Sequence, residues 1–233
     1  MARDDEGFDY QTEFLASRGY AVLQMNFRGS SGYGWDFESA AHQDMGGRMQ
    51  DDVTDGARWL VEQGYAEAGR LCIMGGSYGG YAALWSTVKT PDLFRCAISL
   101  NGVSDWALVL AESWHYVKEK AQRQQLGNRT DLKHVSPLRR VAEIRAPILL
   151  VHGEDDRVVP VKHSRKMAKA LEKHRKTHRY IELENGSHHL SNQRNRTLFL
   201  QAVESFLFEF LPLGNVPKPN APSPDDAGVP ERS

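Results

Sequence analysis

Cysteine is scarce, with two residues in 233. Cys72 and Cys96 each stand in an apolar, strand-like run, which predicts two small buried side chains rather than a disulfide or a metal site. Charge of one sign is equally lacking: 29 Lys and Arg oppose 30 Asp and Glu, for a formal net charge of −1. That balance provides no field for holding nucleic acid or an anionic membrane. No apolar run approaches the roughly 18 residues of a membrane span. The start, MARDDEGFDY, has neither the basic residues nor the apolar stretch of a secretory signal. The chain on its own therefore reads as cytoplasmic, with no nucleic-acid or membrane partner. No spacing of His, Cys and acidic residues resembles a metal site, so no metal and no cofactor are expected. No internal repeat is visible.

What is present is a composition 40% hydrophobic and a length that suits one α/β domain. A helix is predicted over 8–18, ending at Gly19, followed by the β-rich apolar run YAVLQMNF at 20–27 and a glycine-rich loop, RGSSGYG. Over 47–64, Met49, Val53, Ala57, Leu60 and Val61 recur at helical spacing. Asp51 and Asp52 near its start suit the helix dipole or solvent better than a metal. Strands follow at 70–75, 95–100, 146–153 and 178–183, and helices at 78–88, 161–173 and 193–210. The stretch leading to Leu126 reads as helical. Strands alternating with helices predict a mostly parallel sheet covered on both faces, an α/β fold. Residues 1–211 are expected to form one domain. From 212 to 233, Pro, Gly, Ser and Asp abound without a periodic apolar face, which predicts a disordered tail.

The chemistry concentrates where the chain is richest in glycine. In GGSYGGY, residues 75–81, Ser77 sits at the corner between a predicted strand and a predicted helix. Such a corner forces a strained backbone, and glycines remove the collisions that flanking side chains would make with the strand and helix. The serine hydroxyl is then held out at the top of the sheet. The helix beginning at Tyr78 aims unpaired N–H groups and its positive end at the same place. A serine attacks a carbonyl only if a base takes its proton and an acid orients the base. Two loops at the ends of later strands offer these groups. HGEDDRVVP at 152–160 holds Glu154, Asp155 and Asp156; ENGSHHLS at 184–191 holds His188 and His189. The order serine, acid, histidine fits an α/β sheet enzyme. His42, His134, His163, His174 and His178 suit ordinary surface positions. His115, in the variable stretch, is a candidate for touching substrate, and His152, ending a strand under the acid loop, suits a buried structural role.

Taken together, GGSYGGY, NFRGSSGYG, HGEDDRVVP and GSHHLS resemble the catalytic domain of the prolyl oligopeptidase family of serine peptidases, over about residues 2–211. The branch most resembled contains bacterial dipeptidyl and acylaminoacyl peptidases. The resemblance implies an α/β-hydrolase fold, with Ser77 as nucleophile, Asp156 as acid and His188 as base, ahead of Asp155 and His189. It implies the Tyr78 N–H as one oxyanion donor. Val103, Trp106 and Val159 would surround the pocket for the residue before the scissile bond, and Arg28 would order its loop. The substrate implied is a peptide or a small ester.

The chain begins after the place where family members carry an HGGP-type loop, the source of a second oxyanion donor. By the same resemblance, a strand interior to the sheet and the β-propeller that restricts entry to peptides are expected to be missing. Exposed sheet edges would then favour association between copies of the chain. A carboxylesterase, or a catalytically impaired fragment, is the alternative.

Overall fold

The structure is a computed structural model that describes residues 3–4, 7–112, 126 and 129–214. His115, most of the stretch before Leu126 and the predicted tail from residue 215 lie outside the described residues. The chain forms two compact units, one from Met1–Ala68 and Asp105–Arg140, the other from Gly69–Ser104 and Val141–Ser233.

The second unit is built on four strands, β1 (Cys72–Gly76), β2 (Cys96–Leu100), β3 (Ile148–Gly153) and β4 (His178–Leu183), lying in that order. All neighbouring pairs are parallel. Parallel strands cannot be joined by a tight hairpin. Helix Tyr78–Lys89 therefore connects β1 to β2, and helix Lys162–Lys173 connects β3 to β4. Helices covering the sheet explain why ILLVHG is apolar for so long: all six positions of β3 are buried, as are all five of β2. The terminal strands β1 and β4 are mostly half-buried. Helix Gln193–Phe210 buries Phe199, Val203, Phe206 and Leu207. Each such side chain contributes about 2 kcal/mol by leaving water.

Two expectations fail in this unit for related reasons. Cys72 and Cys96 are not separate. They are register partners at the start of β1 and β2, with Cα atoms 4.8 Å apart, and are joined as a disulfide. In-register residues of neighbouring parallel strands project to the same face, a relation that strand-by-strand reading does not contain. His163, expected at the surface, is fully buried in the first turn of helix Lys162–Lys173. Its Nδ1 accepts from the Ser104 amide at 3.2 Å, and its backbone carbonyl accepts from the Ser104 hydroxyl at 2.8 Å.

In the first unit, helix Tyr10–Ser17 starts where the Asp9 carboxylate accepts from the Thr12 amide at 2.7 Å. It ends before Gly19, whose φ of 89° suits glycine. The run 20–27 is not a strand. It forms no ladder among the described residues, and Val22 and Leu23 are 37% and 38% exposed. A β-rich sequence becomes a strand only when a neighbour takes its N–H and C=O groups. Helix Arg48–Glu62 turns Met49, Gln50, Thr54 and Ala57 inward. Asp52, expected to be solvated or to serve the helix dipole, instead binds the NFRGS loop. It accepts from the Arg28 amide at 2.8 Å and from Arg28 Nε at 2.9 Å, so Arg28 orders its loop.

Candidate active site

β1 runs directly into Ser77, the N-cap of helix Tyr78–Lys89, with φ 56° and ψ −116°. A non-glycine residue held there costs on the order of 1–3 kcal/mol, so the surroundings must impose it. Part of that constraint is visible. The Ser77 amide donates to the Leu100 carbonyl at the end of β2, at 2.9 Å, and the Ser77 carbonyl accepts from the Tyr81 amide at 3.1 Å. The hydroxyl is free of this scaffolding, making no hydrogen bond among the described residues.

The four glycines around Ser77 are not equivalent. A Cβ on Gly75 would lie 2.5 Å from the Gly79 backbone, and one on Gly80 would lie 2.7 Å from Gly102 Cα. These two allow the strand-to-helix corner to close. At Gly79 a Cβ would meet nothing within 4 Å, and at Gly76 only the Leu100 carbonyl at 3.8 Å. The expectation that all four relieve collisions therefore narrows to two.

The acid and histidine loops leave consecutive strands, β3 and β4, at the same end of the sheet as the elbow. Gly153 and Gly186 bring them together: a Cβ on Gly153 would lie 2.3 Å from the Gly186 carbonyl oxygen. The Glu154 amide donates to the Leu183 carbonyl and the Asp155 amide to the Gly186 carbonyl, both at 2.9 Å. Of the three acids, Glu154 and Asp155 are exposed and Asp156 is buried. His188 Nδ1 meets Asp156 Oδ2 at 2.7 Å, while His189 is exposed and packs edge-on against the His188 ring. The other carboxylate oxygen, Oδ1, accepts from the amides of Val158 and Val159, each at 2.8 Å.

Burial alone would raise the Asp156 pKa. The His152 ring, with Nε2 3.5 Å away, and hydrogen bonds from His188 and the Val159 and Val158 amides outweigh it, and hold the carboxyl well below the ordinary carboxylate range. An ionised carboxylate only accepts, so the His188 proton belongs on Nδ1 and Nε2 is left as a base. His152 is fully buried beneath this pair. Its Nε2 donates to the Val159 carbonyl at 2.8 Å, and its Nδ1 accepts from the Ser164 hydroxyl at 2.7 Å.

The remaining predicted positions lie on separate elements. Val159 is buried and serves the acid loop with both its amide and its carbonyl, and Val103 is buried two residues beyond Asn101. Trp106 opens helix Trp106–Glu112 in the first unit, its amide donating to Ser136 Oγ at 3.0 Å. One residue absent from the sequence-based set is Asn101, just past β2. Its side chain accepts from the Gly153 amide and donates to the His188 carbonyl, each at 2.8 Å. The sole sequence cue is its position at a strand end before Gly102.

This strand-to-helix serine, with acid and histidine loops following in order, can be set beside known proteins. Residues 6–213 match the sequence profile of the prolyl oligopeptidase family. The chain belongs to this family. It is 35% identical over 218 residues to dipeptidyl aminopeptidase BIII of Pseudoxanthomonas mexicana, covering 90% of this chain and 32% of that protein. It is 31% identical to the uncharacterized peptidase YuxL of Bacillus subtilis, covering 88% and 32%. Among solved structures, a puromycin-hydrolyzing peptidase of Mycobacterium tuberculosis superposes with a TM-score of 0.84 at 29% identity, covering 91% of this chain and 32% of that one. An acylaminoacyl peptidase of Pyrococcus horikoshii gives 0.81 at 27% identity, covering 89% and 35%. The chain thus spans about a third of the length of the relatives it matches. With the parallel sheet and these neighbours, the fold is that of the α/β-hydrolase domain of prolyl oligopeptidase family serine peptidases.

Proposed function

We propose that this chain is a serine hydrolase that cleaves peptide or small ester bonds through Ser77, His188 and Asp156. The observation carrying the reading is the part-buried Asp156–His188 hydrogen bond on loops at the same end of the sheet as the serine elbow. In the proposed cycle, Ser77 Oγ attacks the substrate carbonyl carbon while His188 Nε2 takes the hydroxyl proton. Asp156 holds the imidazole in the required tautomer and stabilises the imidazolium. The negative charge developing on the carbonyl oxygen meets the Tyr78 N–H at the positive end of helix Tyr78–Lys89. His188 then protonates the leaving amine or alcohol. A water molecule, deprotonated by the same nitrogen, attacks the acyl-enzyme and restores Ser77. Buried Val103 and Val159 form part of the substrate wall in this proposal.

The relatives are named for dipeptidyl aminopeptidase and acylaminoacyl peptidase activities, which motivates a short peptide with a recognised N-terminal end as substrate. The test is turnover of aminoacyl-, dipeptidyl- and acylaminoacyl-naphthylamides beside p-nitrophenyl esters. Hydrolysis that disappears in Ser77→Ala supports the proposal. Ester turnover without any amide turnover moves it to a carboxylesterase, and no turnover of either removes it.

A second reading concerns association. β1 is one of the two terminal strands of the described sheet, and an unpaired strand edge is a template for another chain. Sedimentation that shifts with protein concentration supports pairing of copies there, and a monomer at all concentrations rejects it.

A further inference from the structure

We propose that Asn101 is a positioning residue that holds the base in register with the nucleophile; this rests on the serine hydrolase reading above. No hydrogen bond joins the Ser77 hydroxyl to His188 among the described residues. Their relative placement is therefore set by the backbone that carries them, and the end of β2 is common to both. Leu100 accepts the Ser77 amide through its carbonyl at 2.9 Å. The next residue, Asn101, donates from Nδ2 to the His188 carbonyl at 2.8 Å and to the Ser187 carbonyl at 3.4 Å. Its Oδ1 accepts from the Gly153 amide at 2.8 Å, where β3 ends and the acid loop begins. Its own amide donates to the Val151 carbonyl at 2.9 Å. Two consecutive residues thus tie down the nucleophile's elbow, the acid's loop and the histidine's loop.

The residue type follows from the site. Asn101 is 1% exposed and has φ 50°. Asparagine is among the few side chains that tolerate this left-handed conformation. It is also the short side chain that presents an acceptor to an N–H and a donor to carbonyls at once. Aspartate lacks the donor, and glycine has the conformational freedom but neither partner.

The two substitutions separate these roles. Asn101→Gly keeps the backbone and deletes every side-chain bond. Asn101→Asp keeps the acceptor for Gly153 and withdraws the donor from His188. Kinetics on a p-nitrophenyl ester, read well below each variant's unfolding temperature, should show kcat falling about 10–100-fold in both, since small misplacements of reacting groups carry penalties of that size. KM should stay within about twofold, because Asn101 touches backbone rather than substrate. A folded Asn101→Asp with wild-type kcat overturns the proposal, as does a fall in kcat that merely tracks loss of folded protein. Should Asn101→Gly fail to fold, Asn101→Asp decides alone. A wild-type chain without Ser77-dependent turnover is a distinct result: it removes the hydrolase reading and this inference with it.

Discussion

Asp156 shows how a single side chain can be governed by opposing forces. Burial favours the neutral acid, yet hydrogen bonds from His188, Val158 and Val159, with the His152 ring 3.5 Å away, keep it ionised. Its folded pKa lies below the unfolded value of about 3.9, so its stabilising contribution is fully present above that pH. The contribution declines as pH falls through the depressed folded pKa. Acid unfolding of the wild type and Asp156→Asn should therefore diverge most above about pH 4 and converge below it; a constant difference from pH 7 to pH 2 contradicts the assignment. The same substitution leaves His188 without its tautomer-fixing acceptor and should lower kcat on the order of 10³–10⁴-fold, measured on an ester substrate. At this scale the sequence narrows the field without closing it. Three acids and two histidines are offered by the loops, and burial separates Asp156 from Asp155. His163 is wrongly expected at the surface and Asn101 is missed because their roles depend on partners 59 and 52 to 87 positions away in the chain.

Among the elements, the strand-to-helix corner depends on where backbones touch. Gly79→Ala places a methyl group in open space within helix Tyr78–Lys89 and should leave stability unchanged or raise it by up to about 1 kcal/mol. Gly80→Ala drives a methyl group to 2.7 Å from Gly102 Cα and should cost about 1–3 kcal/mol. Urea denaturation of the two variants checks the pair, and equal effects would contradict the corner's geometry. Strands and helices with a strong apolar period are legible at this scale: 178–183 and 193–210 coincide with β4 and helix Gln193–Phe210. Residues 20–27 carry an equally β-rich pattern and form no strand, because pairing belongs to two segments and a pattern belongs to one.

Across the whole molecule, the parallel sheet and the family were readable because the serine, acid and histidine motifs each fall at the end of a strand. The disulfide was not, since it requires the register between β1 and β2. Linking Cys72 to Cys96, 24 positions apart, restricts the unfolded chain by about 3 kcal/mol. Cys72→Ser/Cys96→Ser should therefore melt lower than the oxidised wild type, and reductant should bring the two together. Identical melting in the absence of reductant contradicts the bridge.

The central claim is that Ser77 is a nucleophile activated by the Asp156–His188 pair. Its most direct test is tandem mass spectrometry of the chain after reaction with a fluorophosphonate, beside Ser77→Ala and His188→Ala. The account predicts one adduct, on Ser77, absent in Ser77→Ala and formed far more slowly in His188→Ala. An adduct on another residue, or labelling of Ser77 at the same rate without His188, would contradict it.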